Sequence, residues 1–122
     1  MSLTDSFKNV TLLFADIVNF TKYSSNVTPN DVVNMLRELF TEFDKMCDKH
    51  AVYKVYTIGD CYVVLGFLNA MTRNPFREAV NVINMGFSMI RIIQNVRTKV
   101  NFHDLDMRIG VHTVNNKHFH FL

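Results

Sequence analysis

Two aspartates stand where a carboxylate needs an explanation. Asp16 interrupts "VTLLFADIVNFT", Val10 to Thr21, a nearly unbroken apolar run in which an unpaired carboxylate costs several kcal/mol or gives up its charge. A basic side chain, an incoming cation or solvent at a strand's end would each compensate it. Asp60 lies in "YTIGDCY", between two short apolar runs, and has a plain reading as a turn residue. If the two met, they would repel, and each would have a raised pKa unless a cation stood between them. Oxygen-only ligands at an open site select a hard divalent ion such as magnesium or manganese, which keeps water and takes its remaining ligands from phosphates. Whether they meet is decided by the elements that carry them.

Phe7 to Asp16 reads as a central strand, its near-continuous apolar run suggesting burial on both faces. "VTPND" then offers Thr28 as N-cap, Pro29 at the first helical position and Asp31 in the first turn. Val32, Leu36, Leu39, Phe40, Phe43 and Met46/Cys47 continue that helix as an amphipathic stripe to about His50. Val52 to Ile58 and Cys61 to Leu68 are strands separated only by Gly59-Asp60, a connection that suits a type II′ hairpin. Asn74-Pro75 repeats the cap-then-proline signal and opens a second helix. Its stripe runs through Phe76, Ala79, Val80, Ile83, Phe87, Ile90, Ile93 and Val96, thickened by Met85 and Met89 as core residues. Leu105 to Thr113 supplies a fourth strand. The order β-α-β-β-α-β is the α+β, ferredoxin-like arrangement, an antiparallel sheet with both helices on one face. In that topology the first strand ends beside the hairpin turn. Asp16 and Asp60 are therefore expected side by side, with a divalent metal resolving their repulsion.

Composition sets the remaining bounds. With 122 residues, 48% hydrophobic and 20% charged, the chain is a single soluble globular domain able to bury one core. A net charge of +2 with scattered basic residues makes no claim on nucleic acid or an acidic membrane surface. Cys47 and Cys61 form neither metal-finger spacing nor a disulfide framework, which points to packed thiols in a reducing, intracellular compartment. No apolar stretch reaches the ~20 residues that a spanning helix needs. The sequons at Asn9, Asn19 and Asn26 read as chance in an Asn-rich sequence, and His118-x-His120 as incidental rather than metal-binding.

The ordered motifs "FADIVNFT", "YTIGDCY" and "MRIGVHT" resemble the class III adenylyl/guanylyl cyclase catalytic domain, over nearly all of Phe7 to Thr113. The resemblance implies a domain over 7–113, with 1–6 as an N-terminal extension or expression scar and 114–122 as a low-complexity tail foreign to the family. It implies two magnesium or manganese ions held by Asp16, Asp60 and the backbone carbonyl of Ile17. They would serve conversion of a nucleoside triphosphate to the 3′,5′-cyclic nucleotide and pyrophosphate. By the same resemblance the backbone around Phe20 and Thr21 cradles phosphates, Arg108 contacts them, and Tyr56 occupies the base-reading position. The likeness of "VYKVYTIGDCYVV" to guanylyl cyclases favours GTP over ATP. The expected partner is a second cyclase domain, in a head-to-tail homo- or heterodimer. The expected setting is the cytoplasmic part of a longer, membrane-anchored or soluble protein.

Three departures shape those expectations. Asn19 replaces a family glycine, and asparagine tolerates the left-handed conformation. Tyr56 stands where guanylyl cyclases carry glutamate and adenylyl cyclases lysine, so base recognition falls to a different partner domain. After His112-Thr113 the family continues with a glycine-rich loop, further strands and a helix bearing an asparagine and an arginine that stabilise the transition state. Here "VNNKHFHFL" follows, and the isolated chain is expected to be inactive. A non-catalytic regulatory or dimerisation module on the same fold is the alternative. A polymerase palm shares the paired aspartates but not the three motifs.

Overall fold

The computed structural model describes residues 6–115 and 117–118. In chain order its elements are β1 (Ser6–Phe7), β2 (Val10–Val18), α1 (Phe20–Asn26), α2 (Pro29–His50), β3 (Tyr53–Ile58), β4 (Cys61–Leu65), α3 (Pro75–Val100), β5 (Asp106–Val114) and β6 (Lys117–His118). Four strands form one antiparallel sheet in the order β3-β4-β2-β5. This is the expected ferredoxin-like order, with the first long strand inside and the hairpin beside it. β1 and β6 pair separately, Ser6 with His118 and Phe7 with Lys117. His120 and the ends of the extension and tail lie outside the described residues.

Both long helices cover one face of the sheet. Leu13, Ala15 and Ile17 of β2 and Tyr62 and Val64 of β4 meet Met35, Leu39, Phe43 and Cys47 of α2, and Val82, Met85, Met89, Ile93 and Val96 of α3. Burial of each large apolar side chain here contributes ~1.5–3 kcal/mol. The cap at α2 is the one read from "VTPND". The Thr28 hydroxyl accepts from the Asp31 N–H at 3.1 Å, and the Asp31 carboxylate accepts from the Thr28 N–H at 3.2 Å, a reciprocal capping box. Asn74 caps α3 in the same way, its side-chain oxygen accepting from the Arg77 N–H.

The structure corrects four expectations. β2 spans Val10–Val18 rather than Phe7–Asp16, because Asn9 turns the chain at φ 53° and pairing with β5 continues to Val18 opposite Asp106. The strand is central but not buried on both faces: Phe14, on the face away from the helices, is 44% exposed. A short helix, α1, precedes α2, with Tyr23 as its buried residue. In α3 the stripe named from periodicity is largely the outward one. Phe76, Val80, Ile83, Phe87 and Ile90 are exposed, whereas Val82, Met85 and Met89 are buried together with Ile93 and Val96. A helix rich in apolar residues all round carries two stripes of equal period, and only tertiary contact selects between them.

Candidate active site

Strand pairing alone places the first carboxylate. Asp16 stands opposite Cys61 of β4 on one side and Arg108 of β5 on the other. Directly paired residues share a face of an antiparallel sheet, so Asp16, Cys61 and Arg108 form one row on the face that the helices leave open. Asp60 immediately precedes Cys61 in the two-residue turn joining β3 to β4. Gly59 there takes φ 57°, the positive value that the first central position of a type II′ turn demands. Strand order and turn length together bring Asp60 against Asp16, as the sequence expects.

Electrostatics record the meeting. The Asp60 carboxyl is pushed above its ordinary value first by burial, and further by a hydrogen bond to Asp16 and by its charge, against a lowering backbone hydrogen bond. The Cys61 thiol is raised too, by burial first and then by Asp16 and Asp60. It therefore sits in the row as a neutral thiol rather than a nucleophilic thiolate. Among the described residues no three His, Cys, Asp or Glu side chains gather to hold a metal. What Asp16 and Asp60 bring together is a pair of carboxylates, oxygen donors only. This fits a hard cation whose coordination shell is finished by water and phosphate.

The other predicted residues surround this pair at different distances along the sheet. Arg108 is exposed on β5 directly across from Asp16. Phe20 and Thr21 begin α1, four and five residues beyond Asp16 and past the turn at Asn19. Asn19 takes the left-handed conformation, φ 63° and ψ 25°, which accounts for asparagine where the resemblance expects glycine. Its side chain donates to the Asp104 carbonyl at 2.8 Å.

Tyr56 reaches the same face as Asp16 by the register of the hairpin, with Ile58 opposite Cys61, Thr57 opposite Tyr62 and Tyr56 opposite Val63. β3 pairs regularly at Lys54–Val64 and again at Tyr56–Val63, with Val55 extra between them. Such a bulge re-aims side chains: lying beyond Tyr56 from the turn, it sets Lys54 opposite Val64 on the helix side, where its ammonium pairs with Asp44 of α2 at 3.1 Å. Tyr56, Val63, Phe14 and Gly110 form the row next to that of Asp16, and Tyr56 is 40% exposed. Sequence reasoning missed the bulge and the Asn19–Asp104 tie, neither of which has a local signature. The position of Cys61 in the carboxylate row follows from its adjacency to Asp60 and was open to the same argument.

A ferredoxin-like sheet with two carboxylates meeting at one end is a layout shared by polymerase palms and nucleotide cyclases, and comparison with known proteins separates them. The model of the adenylate and guanylate cyclase catalytic domain matches residues 3–115, and the chain belongs to that family. It is 42% identical over 110 residues to human atrial natriuretic peptide receptor 2, covering 89% of this chain and 10% of the receptor. The guanylate cyclase domain of RhGC from Catenaria anguillulae, solved in complex with GTP, superposes with a TM-score of 0.77 at 31% identity, over 89% of this chain and 58% of that one. A non-canonical dimeric guanylyl cyclase domain of the RhoGC fusion protein from Blastocladiella emersonii superposes at 0.78 and 29% identity, over 93% and 61%. The chain thus spans a tenth of the receptor's length and about three-fifths of each solved domain.

Proposed function

We propose that this domain supplies the metal-donating half of a guanylate cyclase site, converting GTP to cyclic GMP and pyrophosphate in a head-to-tail pair with a second cyclase domain. The observation that carries this reading is the meeting of Asp16 and Asp60, with the Asp60 carboxyl driven up by burial and by its neighbour. A structural domain gains nothing from a repulsive pair, whereas a cation site requires one. In this reading Asp16, Asp60 and the Ile17 carbonyl hold two magnesium or manganese ions. Bound there, the ions would activate the ribose 3′-hydroxyl for attack on the α-phosphorus and neutralise charge on the departing pyrophosphate.

The chain's own residues do the rest of the work assigned to this half. Arg108, on the Asp16 face, offers a guanidinium whose fork matches phosphate oxygens. The main chain at Phe20 and Thr21 holds the triphosphate. Phe14 and Tyr56, exposed in one row of the open face, suit a face that a second domain covers. GTP is favoured by the guanylate cyclase relatives, and the cytoplasm is the setting such signalling requires. Among the described residues no helix is long and apolar enough to cross a membrane.

Calorimetry with manganese and 3′-deoxy-GTP, which cannot cyclise, tests the site. Asp60→Ala is expected to weaken binding of the metal-nucleotide complex at least about tenfold, since phosphates complete a shell that the variant lacks. Equal affinity in both proteins would remove the site. Tyr56 favours a second reading, a non-catalytic regulatory or dimerisation module, because a phenol cannot pair as a carboxylate does with a guanine edge. That module needs no affinity for metal-nucleotide, and the same titration separates the two.

A further inference from the structure

The turn that follows Asp16 is fastened to a single residue of another loop. Asn19, left-handed at φ 63°, makes no side-chain cap to α1. Its amide instead donates to the backbone carbonyl of Asp104 at 2.8 Å. Lys22, one turn further along, forms an ion pair with the Asp104 carboxylate. Beneath both, the buried Tyr23 meets the edge of Phe102, ring centroids 5.3 Å apart at 76°. Asp104 lies in the segment that leads into β5 and Arg108. The clasp therefore joins the turn after one functional strand to the approach of another.

Glycine at position 19 would reach the same backbone conformation but could not make the tie. Alanine could not make the tie at all and would reach the turn only with strain, since most residues with a Cβ adopt this region reluctantly. Asparagine meets both requirements at once. The ion pair is a weaker fastening, because both partners are more than half exposed, 58% and 55%, and such pairs contribute little.

We propose that Asn19 is a positioning residue for the nucleotide: its amide, through Asp104, holds the turn carrying Phe20 and Thr21 in the place where triphosphate is received. The role rests on the nucleotide site proposed above, and it is separable from metal binding, because Asp16 and Asp60 are fixed by strand pairing and not by this clasp. Removing the amide should affect metal-nucleotide and leave metal alone untouched.

Manganese alone and manganese with 3′-deoxy-GTP are titrated into the full chain, as wild type, Asn19→Gly, Asn19→Asp and Asp104→Asn. Asn19→Gly keeps the left-handed turn and loses only the tie. Its affinity for the metal-nucleotide complex is expected to fall about three- to tenfold, the range of one ordinary hydrogen bond, with manganese affinity unchanged. Asn19→Asp sets an acceptor against the Asp104 carbonyl and adds negative charge near phosphates, so it should fall further. Asp104→Asn keeps the carbonyl and should stay within about twofold of wild type, as an exposed ion pair warrants. Wild-type affinity in Asn19→Gly would overturn the positioning role alone. Equal losses of metal and metal-nucleotide binding would also overturn it, as a general structural effect. Failure of the wild type to bind metal-nucleotide would bring down the site and this role with it.

Discussion

Asp60 holds its proton to higher pH than a free aspartate because its turn is partly buried and Asp16 faces it. The sign of the consequence is fixed by linkage. A carboxyl raised in the folded state contributes stability below the unfolded-state value, and that contribution is lost as pH rises through the raised value. A cation between the carboxylates reverses the preference, since both must then be ionised. Manganese affinity measured without nucleotide should therefore climb as pH rises from about 4 toward neutrality. Asp60→Asn should flatten that climb, and without metal at neutral pH it should melt no lower than wild type. A steep climb retained in Asp60→Asn would assign the titration elsewhere. The pairing of these residues was legible in the sequence because it needs only strand order and a two-residue turn. The aim of Lys54 toward Asp44 was not, because the extra Val55 is one more valine in a run of Val, Tyr and Lys. Tyr56 stands on the open face by the same hairpin register, yet Tyr56→Glu should not create guanylate cyclase activity in this chain, since the base contact would act across a dimer. Cyclic GMP from that variant above an Asp16→Ala control, followed by chromatography, would contradict the division of labour.

Helices α2 and α3 show where periodicity stops being informative. α2 has one apolar stripe, and the sequence located it, missing only Met35 among the buried residues. α3 has two of equal period, so contact with β2 and β5 had to choose. One polar tie between the helices has a pH signature. The Nε2 of His50, at the end of α2, lies 2.8 Å from the Ser88 hydroxyl of α3, which also accepts from Arg91 at 3.1 Å. Burial, then Lys49, then Arg91 hold the imidazole below its ordinary value of 6.5. The unfolded chain thus takes up the proton first as pH falls. Stability is full above the ordinary value and declines between it and the lowered one. Urea denaturation at about pH 7.5 and pH 5.5, on either side of an ordinary imidazole, should show a loss in wild type that His50→Gln reduces. An undiminished loss in the variant would place the titration at another group.

At the scale of the molecule, the question is which parts of a cyclase site this fold can furnish. The open face presents Asp16, Asp60, Arg108 and Tyr56, all carried by the four-stranded sheet or its hairpin. Metals held there would activate the attacking hydroxyl. Charge developing on the transferred phosphoryl group also needs donors set for the transition state, and losing one such donor commonly costs ~10²–10³ in rate. The resemblance assigns those donors to an asparagine and an arginine on a later helix, and within the 122 residues nothing matching it follows His112-Thr113. Two copies of this chain would lack them on either side. Among the described residues no strand pairs with the outer edge of β5, and that edge and the outward apolar stripe of α3 are surfaces prone to association, so pairing alone is no evidence of a working site. The isolated chain is therefore expected to give no measurable cyclic nucleotide with manganese and GTP. Mixed with a complete cyclase domain that carries the asparagine and arginine but has its own metal aspartates replaced, it should restore turnover. Activity that arises only in the mixture and vanishes with Asp16→Ala would support the half-site; steady product from the chain alone would sink it.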